Sequence, residues 1–422
     1  MKRLLLILLA ASVLLSTSVL ASDTRVRTMG DNNMVLLDEA NIRLFPSRVL
    51  DYPNLAIGEF GGDDSTSLGI HWKFGSENPW VLATYFSTAV IGQPTGYYDA
   101  TPFGYFAEGL DSTNERVDLY YGRPQMLGNH NIGFHFGYVR ASHDHDLAGN
   151  DADYKEQMYY YDFGFGVTEA NGDYDASFQI AFGSWTDEGP VGVDGARVVQ
   201  SEPDGFIDVG GMFRGFKQIN PEWTAILHTS ASISKRGVKD HGADVDTNWT
   251  TKDDLIIKDS RFSFDVGLGA NWTPATNVLV VGDFGFAFDK VKRSITVTTV
   301  DSIAGLPRGG GAVNLTTRDL YVPYWSIGFD ADVFKWMDIR MGATSHWISE
   351  KNERGTFIAI SEVENVKGAA NQTYLGFGFH WGRLHIDTET DPDLFLRGFD
   401  FITGNGGGDD MNARISVVYE LM

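Results

Sequence analysis

The amino-acid sequence predicts an all-β protein, a closed antiparallel barrel of 14–16 strands that spans a membrane. The first observation behind this prediction is an alternation of apolar and polar residues with a period of two. In 67–75, Leu68, Ile70, Trp72 and Phe74 alternate with small or polar residues. The same pattern recurs in 132–138, 261–272, 338–347 and 375–382. Because successive side chains of a strand point to opposite faces, each segment predicts a strand with one apolar face.

The second observation is the length and spacing of these segments. The candidates at 154–168, 254–272 and 277–298 exceed 12 residues, whereas strands of soluble proteins average about five or six. A tilted transmembrane strand needs about 9–11 residues. Short connections (75–79, 123–129, 169–172, 218–221, 273–276 and a corner near Lys335) alternate with long ones (approximately 90–113, 143–153, 187–203, 237–253, 299–314 and 351–369). Transmembrane barrels have short periplasmic turns and long external loops.

Sixteen strand candidates follow from the alternation. They are 54–61, 66–74, 79–90, 114–122, 130–142, 154–168, 173–186, 204–217, 222–236, 254–272, 277–298, 315–334, 336–350, 368–382, 383–390 and 411–421. If the first and the fifteenth do not form, the count is 14. Pro323 lies inside a candidate strand and cannot donate a ladder hydrogen bond, so we expect a bulge there.

The N-terminus predicts an export signal. Lys2 and Arg3 precede the apolar run 4–15, and Ala21 is a small residue at the expected cleavage point, so residues 1–21 are assigned as a signal peptide. No later apolar stretch reaches the length of about 20 residues that a transmembrane helix needs.

Residues 22–53 contain Pro46 and Pro53, and their apolar and polar residues do not alternate. We interpret them as a plug or a periplasmic rim segment, with a disordered lead-in as the alternative, and residues 54–422 as the barrel.

Tryptophans concentrate near the short turns. Six of the ten lie within a few residues of one: Trp72, Trp80, Trp223, Trp272, Trp336 and Trp381. Amphipathic rings collect at a membrane interface. These residues therefore predict an aromatic girdle at one membrane face.

Charge and composition exclude several functions. The formal net charge of −23 repels phosphate backbones, so nucleic-acid binding is excluded. The absence of cysteine excludes thiol catalysis and cysteine-ligated zinc. Neither a GxSxG nucleophile motif nor a complete phosphate loop occurs, and we predict that the protein is not an enzyme.

The positions opposite the apolar face predict the lining of the lumen. Charged side chains there avoid lipid, where an Arg or Lys near the midplane costs about 2–4 kcal/mol. The predicted pore-lining residues are His71, Lys73, His135, Asp208, Arg214, Asp265, Asp330, Arg340, His346 and His380. Plain structural filling of the interior is the alternative for each of them.

One external segment offers candidate metal ligands. His143, Asp144, His145 and Asp146 combine imidazole and carboxylate donors. A solvated loop is the alternative, because spacing alone does not define ligand geometry. No cofactor is predicted beyond Ca²⁺ or Mg²⁺ at acidic external loops, since these hard cations prefer carboxylates.

These features together resemble bacterial outer-membrane β-barrels over about residues 54–422. The final segment 413–422 alternates like a C-terminal barrel strand, although it ends in Met422 instead of an aromatic residue. The resemblance implies an outer-membrane location, contact with lipid and lipopolysaccharide, and insertion by the barrel-assembly machinery. The proline-containing segment before the first strand is similar to the hatch of the long-chain fatty-acid transporter family, but Leu44-Phe45-Pro46-Ser47 departs from that family's Asn-Pro-Ala motif.

Three functional hypotheses remain open. The first is a porin-like channel that passes small solutes through the polar lumen. The second is a plugged transporter for hydrophobic ligands, suggested by residues 23–53 and the aromatic content of 13%. The third is a structural or binding barrel whose acidic loops meet partners. Neither the solute nor the oligomeric state is predicted.

Overall fold

The computed structural model describes residues 23–60, 66–88, 115–146, 153–188, 197–246, 249–303, 306–307, 311–355, 361–390 and 414–421. Strands dominate this part of the chain, which contains three short helices near its start. They are α1 (Asp23–Thr28) and two 3-10 helices, Glu39–Ile42 and Pro46–Asp51. In the described residues no helix combines the length and hydropathy needed to cross a membrane. The predicted signal peptide 1–21 lies outside the described residues.

Sixteen long or medium strands and one two-residue bridge follow the helices. They are β1 (Leu55–Phe60), β2 (Thr66–Phe74), β3 (Trp80–Thr88), β4 (Glu115–Leu127), β5 (His130–Asp146), β6 (Asp153–Glu169), β7 (Tyr174–Glu188), β8 (Arg197–Asn220), β9 (Trp223–Asp246), β10 (Trp249–Ala275), β11 (Val278–Ile303), β12 (Leu306–Pro307), β13 (Gly311–Phe334), β14 (Met337–Gly355), β15 (Ser361–Trp381), β16 (Leu384–Thr390) and β17 (Arg414–Glu420).

The strands form a closed antiparallel ring. Each strand pairs with its neighbours in sequence, except that β11 pairs directly with β13 while β12 pairs with the end of β11. The ring closes where β1 pairs with β17, from Leu55↔Glu420 to Phe60↔Ile415. Sixteen strands therefore surround one lumen, which is the upper end of the predicted count. Because the described ring is closed, each of its sixteen strands has a hydrogen-bonded neighbour on both sides, whereas the two-residue β12 pairs only with β11.

One end of the barrel carries the tight turns that the sequence predicts. Two residues connect β4 to β5, β8 to β9, β10 to β11, β13 to β14 and β15 to β16. Gly128 and Gly382 have φ angles of +64° in two of these turns. This left-handed conformation costs glycine little energy but strains other residues, which explains why glycine occurs in these turns.

At the opposite end several strands extend beyond their predicted bounds. β9 and β10 stay paired up to Asp246↔Trp249, so most of the predicted loop 237–253 is strand. The predicted loops 143–153, 187–203, 299–314 and 351–369 shorten in the same way. The physical reason is that ladder hydrogen bonds join backbones and need no apolar face. The alternation therefore disappears where both faces are polar, although the pairing continues.

The predicted irregularity at Pro323 is confirmed. The register between β13 and β14 shifts between Tyr321 and Tyr324, and the pairing of β11 with β13 shifts at the same place. Proline cannot donate to the ladder, and the shift accommodates it.

The two faces of the ring differ in chemistry. Large apolar side chains are exposed on the outside, for example Leu68, Leu268 and Phe284, which are 55%, 64% and 58% exposed. Charged side chains are buried on the inside, for example Arg214 and Arg340. This is the reverse of a soluble protein, in which apolar side chains are buried. An apolar outer face around a polar interior suits a barrel that contacts lipid.

Candidate functional site

Residues 23–53, called the plug segment here, lie inside the ring of strands. All of them except Leu37 and Asp51 are buried or half-buried. Their wall partners are Ser416 on β17 for Thr24, Asp330 on β13 for Arg25, Glu389 on β16 for Arg27, Asn271 on β10 for Val35, Thr168 on β6 for Ser47 and Asp175 on β7 for Arg48. Because these partners belong to strands all around the ring, the plug segment crosses the lumen from wall to wall.

The plug segment occupies the half of the lumen nearest the short turns. An ideal Cβ on Gly133 of β5 would lie 2.1 Å from the backbone of Pro46 and Ser47. A Cβ on Gly342 of β14 would lie 2.2 Å from the backbone nitrogen of Gly30. Both wall glycines lie within a few residues of a tight turn. Wall and plug backbones therefore touch at positions where only glycine fits.

The first half of the plug segment, residues 23–41, is held by ion pairs and by a buried apolar cluster of Val26, Met29 and Leu36 with Val281 of β11. Arg25 Nε lies 3.0 Å from Asp330 Oδ2, and Arg25 Nη1 lies 3.3 Å from Asp38 Oδ2. Arg27 Nε lies 3.2 Å from Glu389 Oε2. A buried charge is tolerated only when it is paired, so these contacts determine where α1 can sit.

Arg214 on β8 joins the two halves of the plug segment. Its guanidinium is fully buried and donates to Asp175 Oδ2 at 2.7 Å and to the Leu36 carbonyl at 2.9 Å. Asp175 also accepts from Arg48 Nε at 2.9 Å. The Arg214 guanidinium carbon lies 4.4 Å from the centre of the Phe45 ring. Arg214 therefore contacts the Asp175 carboxylate, the Leu36 carbonyl and the Phe45 ring at the same time.

The second half, residues 42–53, combines apolar packing with the buried Arg48–Asp175 ion pair. The residues that share this buried cluster are Ile42 and Val49 of the plug segment with Leu55, Ile57, Val81, Ala83, Tyr85, Tyr120 and Val418 of the wall. The chain then continues directly into β1. This half is consequently tethered both covalently and by burial of apolar surface.

Two acidic groups in the plug segment are buried. Asp38 caps the first 3-10 helix by accepting from the Ala40 backbone nitrogen at 3.2 Å, and Asn41 completes the capping box. Burial raises the pKa of Asp38 to about 7, although Arg25 opposes this shift. Burial and the neighbouring Asp38 raise the pKa of Glu39 well above its usual range. Burial favours the neutral carboxyl form, so the seated segment holds protons more tightly than a solvated one.

The wall carries further ionic networks beyond the plug contacts. His135 Nε2 lies 2.8 Å from Asp118 and His135 Nδ1 lies 3.0 Å from Asp162, while Arg116 bridges both carboxylates at 2.7 and 3.1 Å. Among the described residues, the side chains of Asp118, His135 and Asp162 are close enough together to surround a metal ion. The Arg116 guanidinium already supplies their positive partner, so the arrangement is an ion-pair network.

A second network lies on β9–β11. His228 is fully buried, with Nε2 2.9 Å from Asp283 and Nδ1 3.3 Å from Asp265. Nearby, Arg261 lies 2.6 Å from Asp289. In this part of the lumen wall, His228 and Arg261 therefore lie against carboxylates of neighbouring strands.

The structure places the predicted lumen residues on the inner face. His71, His135, Arg214, Asp265, Asp330 and Arg340 are buried there, Asp208, His346 and His380 are partly buried, and Lys73 is exposed at the rim. Asp330 and Arg340 come together at 3.3 Å, and His380 pairs with Asp338. The plug segment covers Arg214 and contacts Asp330, so their role as lining of a solute path stays a prediction.

Several site residues were missed by the sequence analysis. They are the plug arginines Arg25, Arg27, Arg43 and Arg48 and the wall carboxylates Asp118, Asp162, Asp175, Asp283, Asp338, Asp387 and Glu389. The period-two parity that identified Asp265 applies equally to the wall carboxylates. The four arginines between residues 23 and 53 could have indicated that this segment binds acidic side chains.

The candidate metal residues His143, Asp144, His145 and Asp146 lie at the end of β5, and their side chains are outside the described part of the chain. The predicted girdle tryptophans lie beside the short turns. Trp72, Trp223, Trp336 and Trp381 are 40–53% exposed, and Trp80 and Trp272 are partly exposed. Trp223 and Trp272 stack with ring centres 5.3 Å apart.

A closed ring with an apolar outer face and a polar, occupied lumen defines a transmembrane β-barrel. No protein-family profile matches the chain, and no curated protein matches it. Among solved structures it is similar to the ferric yersiniabactin uptake receptor of Yersinia pestis, at 8% identity and a TM-score of 0.42, over 87% of this chain and 80% of that one. It is similar to the toluene transporter of Pseudomonas putida, at 10% identity and a TM-score of 0.41, over 96% and 99%. The toluene transporter of Ralstonia pickettii gives 10% identity and a TM-score of 0.40, over 96% and 100%.

Proposed function

We propose that the protein is a bacterial outer-membrane transport barrel whose plug segment must shift before a solute passes. The observation that carries the proposal is the position of residues 23–53 inside the ring, in contact with walls on all sides. A segment that only led into β1 would have no reason to bury two arginines, Arg25 and Arg48, and two carboxylates, Asp38 and Glu39.

The same observation favours the plugged version over the open porin version. Residues expected to line an open pore are covered, since Arg214 and Arg340 have no exposed surface. A solute that followed this wall would have to displace the plug contacts of Asp330 and Asp175. Small solutes remain the proposed cargo.

The location follows from the outer face and the N-terminus. Exposed apolar side chains suit lipid contact, and residues 1–21 suit export. We include outer-membrane lipid, lipopolysaccharide and the barrel-assembly machinery as partners in this proposal. It contains no catalytic step.

Deletion of the plug segment tests the proposal. The mature protein and a variant lacking residues 23–53 are folded from denaturant and compared in planar bilayers. Folding of both barrels is checked on gels, where a folded barrel migrates differently before and after heating. We expect the deletion to raise single-channel conductance and the passage of small sugars into vesicles, because the plug obstructs the lumen.

Two results would count against the proposal. Equal conductance of both proteins would indicate that an open path already bypasses the plug, which is the porin version. A sealed barrel in both would favour the structural or binding version.

A further inference from the structure

The two halves of the plug segment differ in how firmly they are held. Residues 42–53 continue directly into β1 and pack in the larger apolar cluster, whereas residues 23–41 bury only a smaller apolar cluster around Val26 and otherwise depend on ion pairs and hydrogen bonds. Water competes for polar contacts and counter-ions screen charges, while apolar burial is not screened. The first half, with its two arginines, is therefore the part that leaves the wall most readily.

The wall opposite α1 has an excess of carboxylates. Arg25 forms an ion pair with Asp330, and Arg27 forms one with Glu389. Close to them, Arg340 pairs with Asp338 at 3.1 Å and also with Asp387. Arg414 is 3.9 Å from Glu389 and 3.6 Å from Asp23 of α1, and His380 pairs with Asp338 and contacts His385. Four carboxylates consequently face two wall arginines on β13–β17, and the plug arginines supply the missing positive charge.

The excess extends around the described wall. Ten strand carboxylates are buried, namely Asp118, Asp162, Asp175, Asp265, Asp283, Asp289, Asp330, Asp338, Asp387 and Glu389. The wall arginines paired with them are Arg116, Arg214, Arg261, Arg340 and Arg414. A narrow path whose lining carries an excess of one sign of charge concentrates ions of the opposite sign.

We propose that the solute is cationic and passes along the β13–β17 wall by taking the places of Arg25 and Arg27. This inference rests on the proposed function. Asp330 and Glu389 can bind such a cation, because each already binds a guanidinium group of the plug segment. A free cation with guanidinium or ammonium groups offers the same charge and hydrogen-bond donors. An anionic solute would meet repulsion from the same wall.

Ion selectivity in planar bilayers tests the inference. The mature full-length protein is held in a KCl gradient, and the reversal potential gives the permeability ratio of cation to chloride. KCl is then replaced by guanidinium chloride. We expect a preference for cations of about tenfold, from electrostatic concentration in the lumen, and continued current with guanidinium.

Two wall variants and one control locate the selectivity. Asp330→Asn with Glu389→Gln should reduce the permeability ratio several-fold. Glu389→Gln alone should reduce it less, and it removes a contact whose plug partner is partly exposed. Asp289→Asn, an equally buried carboxylate paired with Arg261 and away from the plug, should leave the ratio almost unchanged.

The outcomes separate the two proposals. A measurable current with no preference, or with a preference for chloride, overturns the cationic solute and leaves the transport barrel standing. An equal effect of Asp289→Asn and the double variant overturns the assignment to β13–β17. If neither the full-length protein nor the plug-deleted variant carries current, the proposed function fails and the inference falls with it.

Discussion

At the scale of single residues, charged side chains inside the barrel form ion pairs and hydrogen bonds with neighbouring groups. Arg214 is fully buried, yet it donates to Asp175, to the Leu36 carbonyl and to the Asn33 carbonyl. Asp175 belongs to β7, whereas the two carbonyls belong to the plug segment. Removing one member of such a buried set leaves an uncompensated charge, which is why these positions control plug docking.

The raised pKa of Asp38 predicts a pH dependence of docking. Its pKa is about 7 in the docked plug and close to 3.8 when solvated. The docked state binds the proton more tightly, so this contribution to docking is complete below about pH 3.8 and is lost as the pH rises from there through about 7. The groups near this carboxyl are Arg25, Arg340 and Asp387, with Glu39 shifting in the same direction. We expect channel current to rise between pH 5 and pH 8.

Asp38→Asn checks this prediction, because asparagine keeps the N-cap and does not titrate. Its current should stay near the low-pH level of the unmodified protein at all pH values. Asp51→Asn, at an exposed plug position, is the control and should retain the pH response. An unaltered pH profile in Asp38→Asn would exclude this carboxyl as the titrating group.

The parity of the sequence predicted which side chains point inward but not which of them pair. Asp265 and Arg340 follow directly from alternation with apolar neighbours. Their partners, His228 and Asp387, belong to other strands. Pairing depends on the register between strands, and single-strand alternation carries no register information.

At the scale of elements, wall glycines permit the plug to seat against the strands. Gly133→Ala would place a Cβ 2.1 Å from the backbone of the second 3-10 helix, which cannot move aside like a flexible side chain. We expect the substitution to push residues 42–53 off the wall and to expose them. Trypsin cleavage after Arg43 or Arg48 in the reconstituted barrel measures this exposure.

Gly210→Ala is the matched control, since its Cβ would meet Ser232 at an ordinary 3.4 Å. It should leave the plug as protected from trypsin as in the unmodified protein. Equal protection in both variants would mean that the close approach at Gly133 does not hold the plug in place.

The strands were largely predictable from the sequence, whereas for residues 22–53 the sequence left a plug, a periplasmic rim segment and a disordered lead-in open, and it predicted none of the plug's contacts. Alternation and turn residues are local, so sixteen candidates and the bulge at Pro323 could be placed from residue order alone. The plug segment has no regular period, because its residues face walls on every side. Its ion pairs join positions as far apart as Arg25 and Asp330, and such contacts exist only once the ring has closed.

At the scale of the whole molecule, the outer face determines where the barrel can reside. Leu268 is 64% exposed and lies four residues above Trp272 on β10, roughly 10 Å along a tilted strand. Leu268→Arg should destabilise the barrel in lipid by about 2–4 kcal/mol. Urea titration of the protein folded into phosphatidylcholine vesicles measures the loss.

Ile219→Arg provides the depth control for that measurement. Ile219 is equally exposed at 64% but lies beside the short turn that follows β8. Its substitution should cost only about 0–1 kcal/mol, because the charge reaches the interface. Equal losses at both positions would be inconsistent with lipid contacting the middle of this face.

The central claim is that the plug must leave its seat for transport, and a pair of engineered disulfides tests it most directly. The chain has no cysteine, and Thr24 Oγ1 lies 2.6 Å from Ser416 Oγ on β17. Ser47 Oγ lies 2.7 Å from Thr168 Oγ1 on β6. Both side-chain pairs are close enough for a disulfide bridge after substitution by cysteine.

Conductance is measured before and after reduction in each double variant. The account predicts that oxidised Thr24→Cys with Ser416→Cys abolishes the current and that reduction restores it, while Ser47→Cys with Thr168→Cys changes it little. Full current through the completely oxidised first pair would contradict the account, because solute would then pass a plug that cannot move.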